Sequence, residues 1–173
     1  MVRLIVTLFE IIVCFLLQTS VFSFFRISGV VPNCLLILVM TVAYTKGQIP
    51  SLFTGFFCGL LLDLCFSETV GFCSILYMTV AFLAGYTNKI YDERDYFLPG
   101  LLGFLSELLY SFFYYIVFFL MRGKLELYHY FIYTILPRAL YTMLLTFILY
   151  PAFHGIHRLL LKLEGLNHDN IYD

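Results

Sequence analysis

The chain has 173 residues, of which 62% are hydrophobic and 12% are charged, and its formal net charge is −1. Soluble domains carry about 25% charged residues, so a chain this apolar is predicted to be an integral membrane protein. A net charge near zero excludes the strongly basic surface that nucleic-acid binding requires, and we expect no nucleic-acid partner.

Long apolar runs separated by short polar breaks predict an all-α, polytopic membrane fold with six transmembrane helices in a single domain, residues 1–173. A helix needs about 20 apolar residues to cross the hydrocarbon core of a bilayer. Pro32 and Asn33 are expected to open the second helix, with Pro32 in its first turn, and Pro137 is expected to kink the sixth. We expect the helices at about 4–22, 30–44, 50–66, 70–86, 98–121 and 131–153, and an amphipathic tail at 154–173.

The distribution of Lys and Arg outside the predicted helices favours one orientation. Positive charge is enriched on the cytoplasmic side of membrane proteins. The side that holds both termini carries Arg3, Lys46, Lys89, Arg94, Arg158 and Lys162, and the other side carries Arg26, Arg122 and Lys124. The sequence therefore predicts that both termini and the amphipathic tail are cytoplasmic.

Small residues recur every four positions along the third predicted helix: Gly47, Ser51, Gly55, Gly59 and, at its end, Asp63. Residues four apart lie one above another on a helix, so these five form one narrow face, here called the small-residue stripe. Gly71 opens a similar seam of mostly small residues on the fourth helix. Such faces let two backbones approach closely, and we expect the stripe to pack against another helix of this chain or of a partner.

Four ionisable residues fall inside predicted helices: Glu10, Asp63, Glu107 and Arg138. Each costs roughly 2.5–3.5 kcal/mol at the centre of a span when it faces lipid, so all four are expected to face the interior. Gln18 shares a face of helix 1 with Glu10 and joins them in a predicted intramembrane polar network. Arg138 is expected to bind one or two carboxylates, and the sequence leaves open which ones.

This polar network has two interpretations. In the first, it fixes how the helices pack or how a partner binds. In the second, its acids line a pathway for an ion, a proton or a solute. We favour the first, because the broken helices in matched halves that are common in transporters are not visible in the sequence.

No catalytic, metal-binding or cofactor-binding arrangement is recognisable in the sequence. His154 and His157 are three residues apart but lack a third ligand at a metal-site spacing. The five cysteines lie in or beside apolar runs without a CxxC spacing, which is typical of packing residues. The sequence therefore predicts a protein that is not an enzyme and that uses no metal or cofactor.

A family resemblance is carried by the first half of the chain. Pro32-Asn33 is followed by Leu35 and Leu36, then by Gly47, by GFFCGLLLDL at residues 55–64, and by Gly71 and Tyr77. In order and spacing these residues resemble the rod shape-determining protein MreD family, which has a Pro-Asp/Asn-Leu opening and a Gly-Phe-x-x-Gly-Leu-x-x-Asp core. The resemblance covers about 31–85. It assigns no role to Glu107 or Arg138, which rest on the physical argument alone.

The resemblance implies a non-enzymatic scaffold or regulatory subunit of the cell-elongation machinery in the bacterial plasma membrane. Its expected partners are the lipid bilayer, an MreC-type single-span membrane protein and, indirectly, the transpeptidase and glycosyltransferase of lateral-wall peptidoglycan synthesis. The family also resembles, in fold, the substrate-binding components of energy-coupling-factor vitamin transporters, which gives the alternative function. Helix 1 carries Glu10, Cys14 and Gln18 where those components usually have an Ala-x-x-x-Ala coupling face, and this favours the scaffold.

Overall fold

The computed structural model describes residues 2–21, 30–66, 71–90, 97–117 and 130–169, with side chains at 5–21, 30–66, 71–89, 97–117 and 130–156. The all-α fold predicted from the sequence is confirmed for these residues. Short π-helical turns follow α1 and precede α6, at Leu17–Val21 and Phe131–Ile135, and a 3₁₀ turn follows α4 at Tyr86–Ile90. The described residues form α1 (Val2–Leu16), α2 (Cys34–Lys46), α3 (Gln48–Phe66), α4 (Phe72–Gly85), α5 (Phe97–Tyr115) and α6 (Leu136–Asp169).

The α2 helix lies at the centre of the bundle and packs against α1, α3, α4, α5 and α6. All of its side chains from Cys34 to Tyr44 are buried, as expected for a helix that is apolar on every side. The surrounding helices turn apolar side chains outward, such as Phe53 on α3 and Leu144 on α6, each 65% exposed. The core is therefore built around α2, and the outer surface is as apolar as a bilayer requires.

Within the described residues, three segments are long and apolar enough to cross a membrane: Gln48–Phe66, Phe97–Tyr115 and Phe131–Ile156. Ile5–Val21 and Cys34–Lys46 are apolar but shorter. These segments indicate that the chain is a membrane protein. The expectation of six membrane-spanning helices stays a prediction.

Two helices begin later than the sequence predicts. The second begins at Cys34, because Asn33 is its N-cap and accepts a hydrogen bond at Oδ1 from Leu36 N at 3.2 Å. The expectation that Pro32 lies in the first turn is wrong, since Pro32 precedes the cap. The fourth begins at Phe72, because its N-cap Gly71 has a φ of 104°, a left-handed conformation that glycine adopts without strain.

The sixth helix starts as a wide turn and continues past its predicted end. Pro137 has no N–H to donate, and its ring crowds the turn that precedes it. In that turn, Leu136 N donates a hydrogen bond to Phe131 O, five residues back, so a π-helical turn accommodates the proline. The helix then runs to Asp169 without a break at 153. The side chains of 157–173, and residues 118–121 of predicted helix 5, lie outside the described part of the chain.

Candidate functional site

The small-residue stripe of α3 faces α4 of the same chain. A Cβ atom on Gly55 would lie 2.9 Å from the carbonyl oxygen of Tyr77 and 3.2 Å from the Cβ atom of Ala81. A Cβ atom on Gly59 would overlap the Cα atom of Ser74 and lie 2.7 Å from its backbone nitrogen. Because most of these neighbours are backbone atoms that cannot turn aside, α3 and α4 reach this separation only with glycine at both positions.

The contact extends toward the start of α3. The Ser51 hydroxyl donates a hydrogen bond to Ala81 O at 3.2 Å. A Cβ atom on Gly85, at the end of α4, would lie 2.6 Å from the Cα atom of Gln48. The two helices therefore stay in close backbone contact along most of α3, and glycines of both helices make that contact possible.

Gly47 belongs to the turn between α2 and α3. Its φ of 88° is in the left-handed region, and its N–H donates to Ala43 O at 3.1 Å, which ends α2. Asn88 lies against this turn and donates from Nδ2 to Tyr44 O at 2.8 Å. Gly47 thus shapes a turn, whereas the other small residues of the stripe form a helix contact.

Asp63 ends the stripe and caps the first turn of α4. Its Oδ1 accepts a hydrogen bond from Cys73 N, and its Oδ2 accepts from Gly71 N and Ser74 N, each at 3.0 Å. The Ser74 hydroxyl also donates to Oδ2 at 3.0 Å. The first N–H groups of a helix have no partner inside it and form its positive end, so a carboxylate is a favoured acceptor. Asp63 therefore fixes the end of α3 to the start of α4.

Asp63→Ala is expected to lower the free energy of unfolding by about 2–3 kcal/mol, because hydrogen bonds to a charged group are lost while buried N–H donors remain. Asp63→Asn should also lower the free energy of unfolding. The NH₂ group of Asn would face backbone N–H donors of α4 and cannot accept hydrogen bonds from them. Unfolding in a denaturing detergent, followed by helical circular dichroism, measures both.

Thr79→Ala is the matched control on α4, because the exposed Thr79 hydroxyl bonds, among the described residues, only to Ile75 O of its own helix. We expect a change within about 0.5 kcal/mol for this control. An Asp63→Ala chain as stable as the control would show that the carboxylate does not hold the two helices together.

The polar face of α1 is turned toward the bundle. Glu10 is 4% exposed, and the positive charge of Lys46, at the end of α2, acts on its carboxylate. Gln18 accepts a hydrogen bond at Oε1 from Leu35 N at 3.2 Å. Leu35 N lies in the first turn of α2, so Gln18 satisfies one of the amides that a helix start leaves without a partner. Gln18 therefore links α1 to the start of α2, and Glu10 lies toward the Lys46 end of α2.

Asn33 connects three helices at the start of α2. Besides capping α2, its Oδ1 accepts a hydrogen bond from the Tyr77 hydroxyl of α4 at 2.6 Å. Its backbone N–H donates to Thr142 Oγ1 of α6 at 3.4 Å. Its Nδ2 atom is buried and has no acceptor among the described residues. Asn33 is therefore a buried polar junction between α2, α4 and α6.

Glu107 of α5 and Arg138 of α6 form an ion pair. Arg138 Nε lies 2.8 Å from Glu107 Oε1, and the Ser111 hydroxyl donates to the same oxygen at 3.3 Å. The guanidinium carbon also lies 5.6 Å from the centre of the Tyr110 ring, a cation–π contact. Glu107 is fully buried and the Arg138 side chain is 27% exposed. Glu107 is therefore the acid that holds Arg138, whereas Asp63 is engaged by α4.

The ion pair sits in a seam where α5 and α6 approach closely. A Cβ atom on Gly103 would lie 2.8 Å from Thr146 Oγ1, and one on Gly100 would lie 2.7 Å from the Phe147 ring. The predicted polar residues thus serve three helix contacts: α1 with α2, α3 with α4, and α5 with α6.

Sequence reasoning missed the roles of Asn33, Ser74 and Tyr77. A signal exists for Asn33, because an asparagine directly before an apolar run is a preferred N-cap. No sequence signal joins Ser74 to Asp63 or Tyr77 to Asn33, since these contacts depend on which helices are neighbours.

Metal-binding residue types are scattered in the described part of the chain. There, no three His, Cys, Asp or Glu side chains are grouped so that they could hold a metal ion. Cys14, Cys34, Cys58 and Cys73 are buried thiols and Cys65 is exposed. The His157 side chain lies outside the described residues, so the expectation for the His154–His157 pair stays a prediction.

Comparison with known proteins identifies the family. Residues 1–160 match the model of one protein family, described as rod shape-determining protein MreD. The matching region includes the small-residue stripe, Asp63 and the Glu107–Arg138 pair. No curated protein and no solved structure matches the chain, so the similarity in fold to vitamin-transporter components stays a prediction. Because the match covers nearly the whole chain, the protein belongs to the MreD family of rod shape-determining proteins.

Proposed function

We propose that this protein is a non-enzymatic scaffold or regulatory subunit of the bacterial cell-elongation machinery. The observation that carries the proposal is the family match over residues 1–160. It is supported by the buried acids, because Asp63 and Glu107 are used in helix contacts. In this role the protein binds an MreC-type single-span partner and, through it, supports the transpeptidase and glycosyltransferase of lateral-wall peptidoglycan synthesis.

In the proposed topology, one domain of six helices crosses the plasma membrane with both termini in the cytoplasm. In the described part of the chain, three segments are long enough to span the membrane on their own. The 13-residue α2 is about 20 Å long, against a hydrocarbon core of about 30 Å. Its central position supports the topology, since protein rather than lipid covers its ends, including the 1%-exposed Asn33.

The partner helix binds an outward face of the bundle and not the small-residue stripe. Because α4 covers Gly55 and Gly59, the stripe is used inside the chain. The outward side of α3 instead carries Ile49, Phe53 and Leu64, which are 65–70% exposed. Lipid and a partner helix are both able to cover such apolar side chains.

Depletion of the protein from its own bacterium is expected to turn rods into round cells, and re-expression is expected to restore rods. Asp63→Ala should restore shape poorly and Thr79→Ala fully, because only the first weakens the α3–α4 contact. Depleted cells that keep their rod shape would contradict the proposal. A vitamin retained through purification, together with normal shape on depletion, would favour the transporter alternative.

A further inference from the structure

Arg138 has hydrogen-bonding capacity that the bundle does not use. A guanidinium carries five N–H donors on two edges. In this structure, Nε lies 2.8 Å from Glu107 Oε1 in an ion pair without an aligned hydrogen bond, and the guanidinium carbon lies 5.6 Å from the centre of the Tyr110 ring. The two terminal nitrogens, Nη1 and Nη2, donate no hydrogen bond to the described residues. A buried polar atom without a partner is an unfavourable feature of this bundle, and these two nitrogens are not among such atoms. They therefore reach the molecular surface, in agreement with the 27% exposure of the side chain.

The depth of Arg138 brings these nitrogens toward the lipid headgroups. The apolar segment of the sixth helix begins at Phe131, and Arg138 follows it by about 10 Å along the axis. Helical side chains tilt toward the helix N-terminus, so that of Arg138 extends back toward the membrane surface at which α6 begins.

Tyrosines lie at this end of the α5–α6 seam. Tyr115 of α5 packs against Tyr130 at the start of the sixth helix, with ring centres 5.3 Å apart. Tyr133 is 63% exposed. Tyrosine is enriched where hydrocarbon meets headgroups, because its ring is apolar and its hydroxyl is polar. The tyrosines thus place this end of the α5–α6 seam at the headgroup level.

We propose that Arg138 binds the phosphate group of a phospholipid at this end of the α5–α6 seam. Glu107 holds one edge of the guanidinium, and the phosphate oxygens accept hydrogen bonds from the terminal nitrogens on the other edge. Arginine suits this arrangement, since its planar fork matches the geometry of phosphate oxygens. The acyl chains of the same lipid lie along the outward apolar side chains of α5 and α6, such as Phe112 and Leu140.

The proposal gives Glu107 and Arg138 opposite effects on lipid binding. Glu107→Gln removes a competing anion from Arg138, so affinity for the phosphate should rise. Replacing both residues by Gln removes the cation and leaves no buried charge without a partner. That double variant should therefore fold and bind the lipid more weakly. A purely structural ion pair would give no gain with Glu107→Gln.

The test is native mass spectrometry of the purified, delipidated full chain, titrated with phosphatidylglycerol. We expect one lipid bound by the wild type, at least about tenfold weaker binding by the Glu107→Gln/Arg138→Gln variant, and severalfold tighter binding by Glu107→Gln. Diacylglycerol with the same acyl chains should bind no better to the wild type than to the double variant, because it has no phosphate.

The control for general charge effects is Lys89→Gln, because Lys89 is exposed in the 3₁₀ turn that follows α4. Asn33, just before α2, bonds to Thr142, one turn from Arg138. Asn88, next to Lys89, bonds to Tyr44 near the other end of α2, about 15 Å away along that helix. This control should bind phosphatidylglycerol like the wild type. Equal binding by the wild type and the double variant, an equal loss with Lys89→Gln, or displacement of the lipid by millimolar inorganic phosphate would each overturn the proposal.

Discussion

Gly59→Leu is expected to abolish folding of the helical bundle in a mild detergent. A side chain at this position meets Ser74 backbone atoms of α4, and neither helix can yield without separating from the other. Overpacking in a core costs about 1–3 kcal/mol, and more when the obstacle is backbone. Separation also moves Asp63 away from the N–H groups that it caps. Size-exclusion chromatography measures the loss of the folded bundle, and circular dichroism recorded during denaturation measures the loss of its stability.

Gly155→Ala is the matched control, because a Cβ atom on this glycine of α6 would have no described atom within 4 Å. An added methyl group in a helix at an open position stabilises by about 0.4–1 kcal/mol. If Gly59→Leu unfolded at the same denaturant concentration as this control, the α3–α4 packing would be wrong. A stable Gly59→Leu chain that no longer bound its partner would instead make the stripe a partner-binding surface.

Arg138→Gln is expected to destabilise the bundle by about 3–5 kcal/mol, since it leaves a buried carboxylate without its cation. Glu107→Gln should destabilise the bundle less than Arg138→Gln does, because the partly exposed Arg138 can turn its charge toward the lipid headgroups. The double variant should recover much of the loss, as neutral replacements of a buried ion pair often do. Detergent denaturation of the four proteins gives the coupling energy of the pair.

Additive effects of the two substitutions would contradict this account, since they would mean that Glu107 and Arg138 act independently. Cys65→Ser is the control for effects of expression and purification on the variants, because Cys65 is an exposed residue on α3. Its unfolding midpoint should equal that of the wild type.

The sequence shows which buried residues need a contact inside the bundle. It shows less well which residue makes that contact. The spacing of Gly55, Gly59 and Asp63 marks a close contact that ends in a carboxylate, and the structure has one. Asp63 is bound mainly by backbone N–H groups of the α4 N-cap and first turn. Every residue but proline carries such groups, so side-chain patterns do not reveal which of them lie close to a carboxylate.

The same limit applies to Arg138. Its cost in lipid predicts that it faces inward, but the choice among Glu10, Asp63 and Glu107 depends on which helices are neighbours. That order follows from packing of the whole bundle around α2. Helix ends show a related limit. From the sequence, Pro32 fits either the first turn of α2 or the position before its N-cap. The hydrogen bond from Leu36 N to Asn33 Oδ1 makes Asn33 the N-cap, so Pro32 precedes it.

The scaffold proposal is tested most directly by co-purification from membranes. The tagged protein is extracted in a mild detergent, and the recovery of the MreC-type protein of the same organism is quantified by mass spectrometry. We expect the partner to co-purify with the wild type and with Glu107→Gln/Arg138→Gln, and to be lost with Gly59→Leu. A folded wild-type protein that recovers no MreC-type partner would contradict the account.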